Sequence, residues 1–139
     1  MKITPIVDRS DPRIASYMHL TDVDYRLAHE AQASLFMAEG ELVIERVLDA
    51  GYTPCSVLVN ERKLHRLEVV LRDRDVEVFV ADDDLLAAVT GYRVHRGALA
   101  AFVRPHPPSL EQVCANAKFI VVLEDLVDHT NVGAIFRLS

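Results

Sequence analysis

No stretch of this 139-residue chain approaches the roughly 20 consecutive apolar residues that a bilayer crossing requires. The longest clean apolar run is Ala98 to Val103, so no membrane partner is expected. The opening MKITPIVDRS lacks the apolar core of a secretory signal, which leaves a cytoplasmic address as the expectation. Cysteine is scarce: Cys55 and Cys114 stand far apart, with no CxxC pair and no histidine at metal-ligand spacing. That pattern describes reduced thiols, not a disulfide or a zinc site. The five glycines are unclustered, so the chain has no glycine-rich loop. Basic excess is missing as well, with 15 Lys and Arg against 21 Asp and Glu and a net charge of −6. A protein that grips nucleic acid by charge alone shows the opposite balance, so any nucleic-acid role has to rest on a local patch.

What is present is enough apolar residue, 50% of the chain, to build one core. Asp11-Pro12 reads as an N-cap followed by proline in the first helical position, with Ile14, Tyr17 and Met18 as a short apolar face. SLFMAEG predicts a strand ending at Glu39-Gly40. In ELVIERVLDAG the residues Val43, Ile44, Val47 and Leu48 share a helical face, and Gly51 marks the stop. SVLVN predicts a buried strand, and Asn60 a cap for a helix with Leu64, Leu67 and Leu71 as its buried stripe. VEVFVA follows as a strand, Asp82-Asp83-Asp84 as a helix N-terminus with Gly91 as its stop, and HRGALAAFVRP as a turn opening another strand. Alternating strands and helices over Leu35 to Val103 predict a compact α/β domain with helices packed on a central sheet.

PHPPS is the only proline-dense segment and reads as a linker. Ser109 with Gln112 makes a capping-box pattern for a short helix, and KFIVVLE predicts a strand buried on both faces. The chain then passes through a polar loop to Asn131-Val-Gly133 at the opening of a helix, an arrangement that puts side chains at the carboxyl edge of a sheet, where ligands often bind. Asn131 is placed to cap that helix, Gly133 to permit close backbone approach, and Arg137 to offer a fixed guanidinium to a phosphate. By mechanism alone, Asn-x-Gly before a helix is more often only a turn.

DHTNVGAIFR resembles the first signature motif of the SpoU-type (TrmH-like) RNA 2′-O-ribose methyltransferases of the SPOUT superfamily. FMAEGELVIERVLDAG is similar to that family's EG-plus-helix segment, and TGYRVHRGALAAF to the end of its amino-terminal substrate-binding domain. The three matches keep the family's order from Leu35 to Arg137. The resemblance implies a small ribosomal-protein-like α/β RNA-binding domain over residues 1–104, a linker with a short helix over 105–117, and from residue 118 the truncated start of a trefoil-knotted SPOUT domain that binds S-adenosylmethionine. It further implies that Asn131 and Arg137 are catalytic, with Arg137 assisting deprotonation of the ribose hydroxyl. A fixed cation there stabilises the oxyanion as it forms. Glu39 matches the glutamate of the EG segment, although helix entry is a competing role for it.

The family's second and third motifs, which build the knot and most of the cofactor pocket, have no counterpart in the sequence. The complete family enzyme uses S-adenosylmethionine, whereas this chain is expected to bind no cofactor. The expected partner is ribosomal or transfer RNA, with Glu39, Arg62, Lys63, Arg66, His95 and Arg96 as the candidate contacts. No metal is expected, since Glu124, Asp125, Asp128 and His129 are more simply a solvated loop. Homodimerisation belongs to the family's catalytic domain, most of which is absent here. A stand-alone RNA-binding or protein-interaction module of the same fold is the competing function. Methylation by this chain requires the missing segment, and an isolated strand at Lys118 onward has no way to bury both its faces.

Overall fold

The computed structural model describes residues 1–18, 20–22, 34–94 and 97–138. It divides into two compact units, Met1–Pro105 and His106–Ser139. In the first unit, strands β1 (Lys2–Pro5), β2 (Leu35–Glu39), β3 (Pro54–Val59), β4 (Glu77–Val80) and β5 (Ala98–Val103) form one sheet in the order β1-β4-β3-β5-β2. β1, β4 and β3 run parallel to one another, and β5 is antiparallel to both β3 and β2.

Helices cover both faces. Helices α1 (Glu41–Asp49) and α2 (Glu61–Leu71) lie on one side, and a 3-10 helix (Pro12–Tyr17) and α3 (Asp83–Thr90) on the other. The period-two alternation of strands sorts the side chains between the two layers. Val57 and Val59 of β3, and Ala98, Ala100 and Phe102 of β5, pack with Ile44 and Leu48 of α1 and with Leu67 and Leu71 of α2. Leu58, Phe79, Leu99 and Ala101 face the other way, against Ile14, Tyr17, Leu86 and Val89. Burial on both faces explains why these strands read as nearly continuous apolar runs. Each fully buried Leu, Ile or Val contributes about 1.5–3 kcal/mol relative to exposure. Phe36 closes one end of the first layer, stacked on Phe102 at 5.5 Å and edge-on to Tyr52 at 5.2 Å.

Local chemistry sets the helix starts. The Asp11 carboxylate accepts from Arg13 N–H at 2.9 Å, and Pro12 has no N–H to leave unpaired. The leading helix is thereby fixed, in 3-10 form, with Ile14 and Tyr17 fully buried. The Tyr17 hydroxyl shares a 2.8 Å hydrogen bond with Ser56 Oγ. Burial pushes the Tyr17 phenol well above its ordinary value, so the ring stays neutral at physiological pH. Asn60 caps α2 through Lys63 N–H at 3.0 Å, and Asp82 caps α3 through Leu85 N–H at 2.7 Å. Gly91, in the left-handed region at φ 82°, ends α3 as expected.

The second unit departs from expectation. Ser109 and Gln112 do form the reciprocal capping box, at 2.8 and 3.2 Å, and open helix α4 (Leu110–Cys114). KFIVVLE, however, is not a strand: residues 118–124 carry no regular structure, and Phe119, Ile120, Val121 and Val122 are exposed. A strand exists only through hydrogen bonds to a neighbour, and among the described residues of this unit no strand is present to supply them. Helix α5 (His129–Leu138) follows. Its start lies earlier than the expected Asn131 cap. Asp128 takes the capping place, its carboxylate accepting from Thr130 N–H at 2.7 Å and its carbonyl from Asn131 N–H at 3.1 Å. Asn131 is therefore inside the first turn, because an aspartate three residues upstream nucleates the helix before it.

Candidate functional site

The strand directions bring one edge of the first unit's sheet into prominence. The carboxyl ends of β1, β2, β3 and β4 and the amino end of β5 all lie there. Since α1, α2 and α3 directly follow β2, β3 and β4, their N-termini open on the same edge. Their positive dipole ends are already answered by carboxylates in the first turns, Glu41, Glu61, and Asp83 with Asp84. The edge is therefore no plain anion cradle. It contains a cleft of about 730 Å³ lined by Asn60, Arg62, Lys63, Asp82, Asp83, Asp84, Leu86, Arg93, Val94 and Gly97.

Asn60 organises this cleft. The residue is buried, 8% of it being exposed. Its Nδ2 donates to Asp83 Oδ1 at 2.7 Å, its Oδ1 caps α2, and its backbone N–H donates to the Gly97 carbonyl at 3.0 Å. Every polar group of the side chain is thus directed at a different segment, as burial of an amide demands. Gly97 sits at φ 62°, and a Cβ there would come within 2.6 Å of Asn60 Nδ2. Only glycine allows this approach.

The sequence-nominated cations on α2 are not free. Arg62 pairs with Asp83 at 3.0 Å, Lys63 with Glu41 at 3.2 Å and Arg66 with Glu45 at 3.9 Å. The acids that balance them come from α1 and α3, because these helices share the edge. Such exposed pairs are each worth about 0–1 kcal/mol, so they orient the cations more than they stabilise the fold. Glu39, half-buried at the end of β2, accepts a hydrogen bond from the Tyr92 hydroxyl at 3.0 Å. His95 and Arg96 lie outside the described residues. Arg93 and Asn60 were not singled out from sequence as site residues. The signal for Arg93 was its place in TGYRVHRG, beside two residues that were.

In the second unit, Asn131 and Arg137 are both exposed on the ten residues of α5. Six residues of helix separate them by about 9 Å along the axis and about 120° around it. Arg137 lies in the last turn, where its charge suits the helix dipole. Gly133 is helical, and a Cβ on it would meet nothing within 4 Å. Its expected role in close backbone approach has no partner here. Among the described residues this unit offers two helices, α4 and α5, and between them a segment without regular structure, with no sheet edge of the kind that holds a ligand.

No family model matches the chain. Its curated relatives include uncharacterized tRNA/rRNA methyltransferases of Mycobacterium bovis and Mycobacterium tuberculosis, each 35% identical over 137 residues. The matched region is 99% of this chain and 48% of either relative, so the chain spans about half the length of the curated relatives it matches. Among solved structures, an AdoMet-bound rRNA methyltransferase from Sinorhizobium meliloti superposes with a TM-score of 0.61 at 16% identity, over 76% of this chain and 38% of that one. An RNA 2′-O ribose methyltransferase superposes with a TM-score of 0.61 at 21% identity, over 96% of this chain and 50% of that one. At those identities the structural likeness is one of fold. Over almost the whole of its length the chain is similar to proteins named as tRNA/rRNA methyltransferases, and its fold is the one that these solved RNA methyltransferases share.

Proposed function

We propose that the chain is the RNA-recognition domain of an RNA 2′-O-ribose methyltransferase acting on ribosomal or transfer RNA, followed by the opening of its catalytic domain. The observation that carries this is the 35% identity over 137 residues to proteins named as tRNA/rRNA methyltransferases. In this assignment residues 1–104 recognise RNA through the sheet edge that holds Glu39, Arg62 and Lys63, with Arg66 one helical turn behind and with His95 and Arg96, which lie outside the described residues, as further contacts. Residues 105–117 link the parts, and residues 118–139 begin the SPOUT domain. Shape and unpaired bases supplement charge, because the cleft is lined by three aspartates, Asp82, Asp83 and Asp84, against three cations, Arg62, Lys63 and Arg93.

Asn131 and Arg137 are proposed as the ribose-facing pair. A guanidinium near the 2′-hydroxyl lowers the cost of the forming oxyanion, and an amide fixes the sugar by hydrogen bonding. The donor site is proposed to require sequence that the relatives carry beyond the matched half. The chain itself is then expected to bind RNA without binding S-adenosylmethionine, and to be inactive alone. Gel shifts with transfer and ribosomal RNA, and calorimetric titration with S-adenosylmethionine, test both halves of the proposal. Tight cofactor binding by this chain refutes the incomplete-site view, and a lack of affinity for every RNA refutes the recognition role. A stand-alone RNA-binding module is the competing function, favoured by the first unit's self-contained core. It predicts specific RNA binding and no methyl transfer even when any further residues of the reading frame are supplied.

A further inference from the structure

The turn that leads into β5 is tied to the sheet edge on both sides. On one side the Tyr92 hydroxyl donates to Glu39 Oε2 at 3.0 Å, anchoring the turn to the end of β2. On the other, the Gly97 carbonyl accepts from Asn60 N–H at 3.0 Å, and the Asn60 side chain packs where a Cβ on residue 97 would be. Gly97 N–H donates to the Val94 carbonyl at 3.1 Å, closing the turn on itself. Between these anchors Arg93 is exposed and lines the cleft.

Arg93 differs from the other cations of this edge. Arg62, Lys63 and Arg66 each hold a carboxylate within 4.0 Å, so a phosphate nearing them meets an anion already in place. Arg93 takes part in none of the ion pairs among the described residues. Its full charge is available, and its guanidinium suits bidentate contact with a phosphate. Building on the proposed RNA-recognition role, we infer that Arg93 is the leading phosphate contact of this edge. Glu39 and Asn60 act as positioning residues that hold its turn, so Glu39 affects RNA through Tyr92 and not by touching it.

The test titrates the protein with a pool of bacterial transfer and ribosomal RNA at several salt concentrations. Arg93→Gln is expected to bind about tenfold more weakly, as loss of a charge-assisted hydrogen bond requires. It also reduces the slope of log affinity against log salt by about 0.7–0.9, one phosphate's worth. Arg62→Gln loses less of both. Tyr92→Phe and Glu39→Gln each weaken binding about threefold, with the salt slope kept, and the double variant binds no worse than either single one. An unchanged slope in Arg93→Gln, or an equal or larger slope loss in Arg62→Gln, overturns the assignment of Arg93. Losses that add in the double variant overturn the clamp, because Glu39 is then making its own contact. Failure of the unaltered protein to bind this RNA at low salt overturns the RNA role and the assignment of Arg93 with it. The clamp is then judged without RNA by hydrogen exchange at the Gly97 amide, which quickens in Tyr92→Phe if the clamp holds the turn and is unchanged if it does not.

Discussion

Replacing Gly97 by alanine tests the cleft's construction most directly, because a single methyl group perturbs three segments at once. The backbone at φ 62° disfavours any residue with a Cβ, a cost of about 1 kcal/mol. The new Cβ would also stand 2.6 Å from Asn60 Nδ2 and 3.0 Å from its Cγ, so the amide has to rotate away. Rotation breaks the cap on α2, worth about 1 kcal/mol, and the hydrogen bond to Asp83, worth about 1–2 kcal/mol at this half-exposed carboxylate. The expected loss is about 3 kcal/mol in total, allowing for partial rescue of both groups by water. Gly51→Ala provides the internal reference: its φ of 85° carries the same backbone cost, but its Cβ meets nothing within 4 Å, so it should lose only about 1 kcal/mol. Urea unfolding followed by circular dichroism measures both variants by linear extrapolation. Gly97→Ala in an Asn60→Ala background should cost no more than Gly51→Ala does, since the side chain that clashes has gone. If Gly97→Ala and Gly51→Ala lose the same amount in the unaltered background, the Asn60 contact is not what requires glycine.

Other expectations rest on different parts of the molecule. Ile44→Ala, at a fully buried position of α1, should destabilise by about 2–5 kcal/mol, whereas Val69→Ala, 62% exposed on α2, should stay within about 0.5 kcal/mol, both read from the same urea curves. The Arg13 side chain and backbone N–H hold the Asp11 carboxyl down to about 2, below its ordinary 3.8. A folded-state value below the unfolded one means that ionised Asp11 stabilises fully above the unfolded value and loses that contribution as pH falls through about 2. The stability gap between the protein and Asp11→Asn, measured across pH 6 to 2, should therefore narrow on acidification, and a constant gap contradicts the cap. If the reading frame continues past Ser139, Arg137→Ala in the longer protein should lower methyl transfer to RNA by about 100-fold or more, assayed with labelled S-adenosylmethionine, while RNA affinity is kept. Undiminished transfer rejects the catalytic role of Arg137.

Much of the first unit was legible because its signals are local. Asp11-Pro12, Asn60 and Asp82, like Ser109 in the second unit, each announce a helix start through side-chain oxygens that reach N–H groups two or three residues on. The continuous apolar runs of SVLVN and ALAAFV likewise announce buried strands within their own few residues. The misreadings fell where a partner decides the outcome. An apolar run such as KFIVVLE states a need for burial but cannot name the strand that would satisfy it. Asn131 reads as a cap from its place at the opening of the helix, yet Asp128 competes for the same helix and starts it sooner. The pairing of Arg62, Lys63 and Arg66 was out of reach for a related reason. Their acids lie on neighbouring helices, and only the order of strands reveals that these helices begin together. Asn60 was read correctly as a cap and incompletely as a site residue, because its second duty is toward Asp83 and Gly97, 23 residues away in one case.

The position of β5 between β3 and β2 governs how this fold can be reached in time. β2 borders only β5, so Leu35–Glu39 waits on a strand that begins at Ala98. β1 waits similarly for β4, since Lys2 pairs with Glu77. These pairings span long stretches of chain, and closing such loops before any contact rewards them makes folding slow. During synthesis the sheet cannot close while Val103 is still to be added. β2, made long before, is then the last strand to be protected, and a chaperone would find its target there and in the open side of β3.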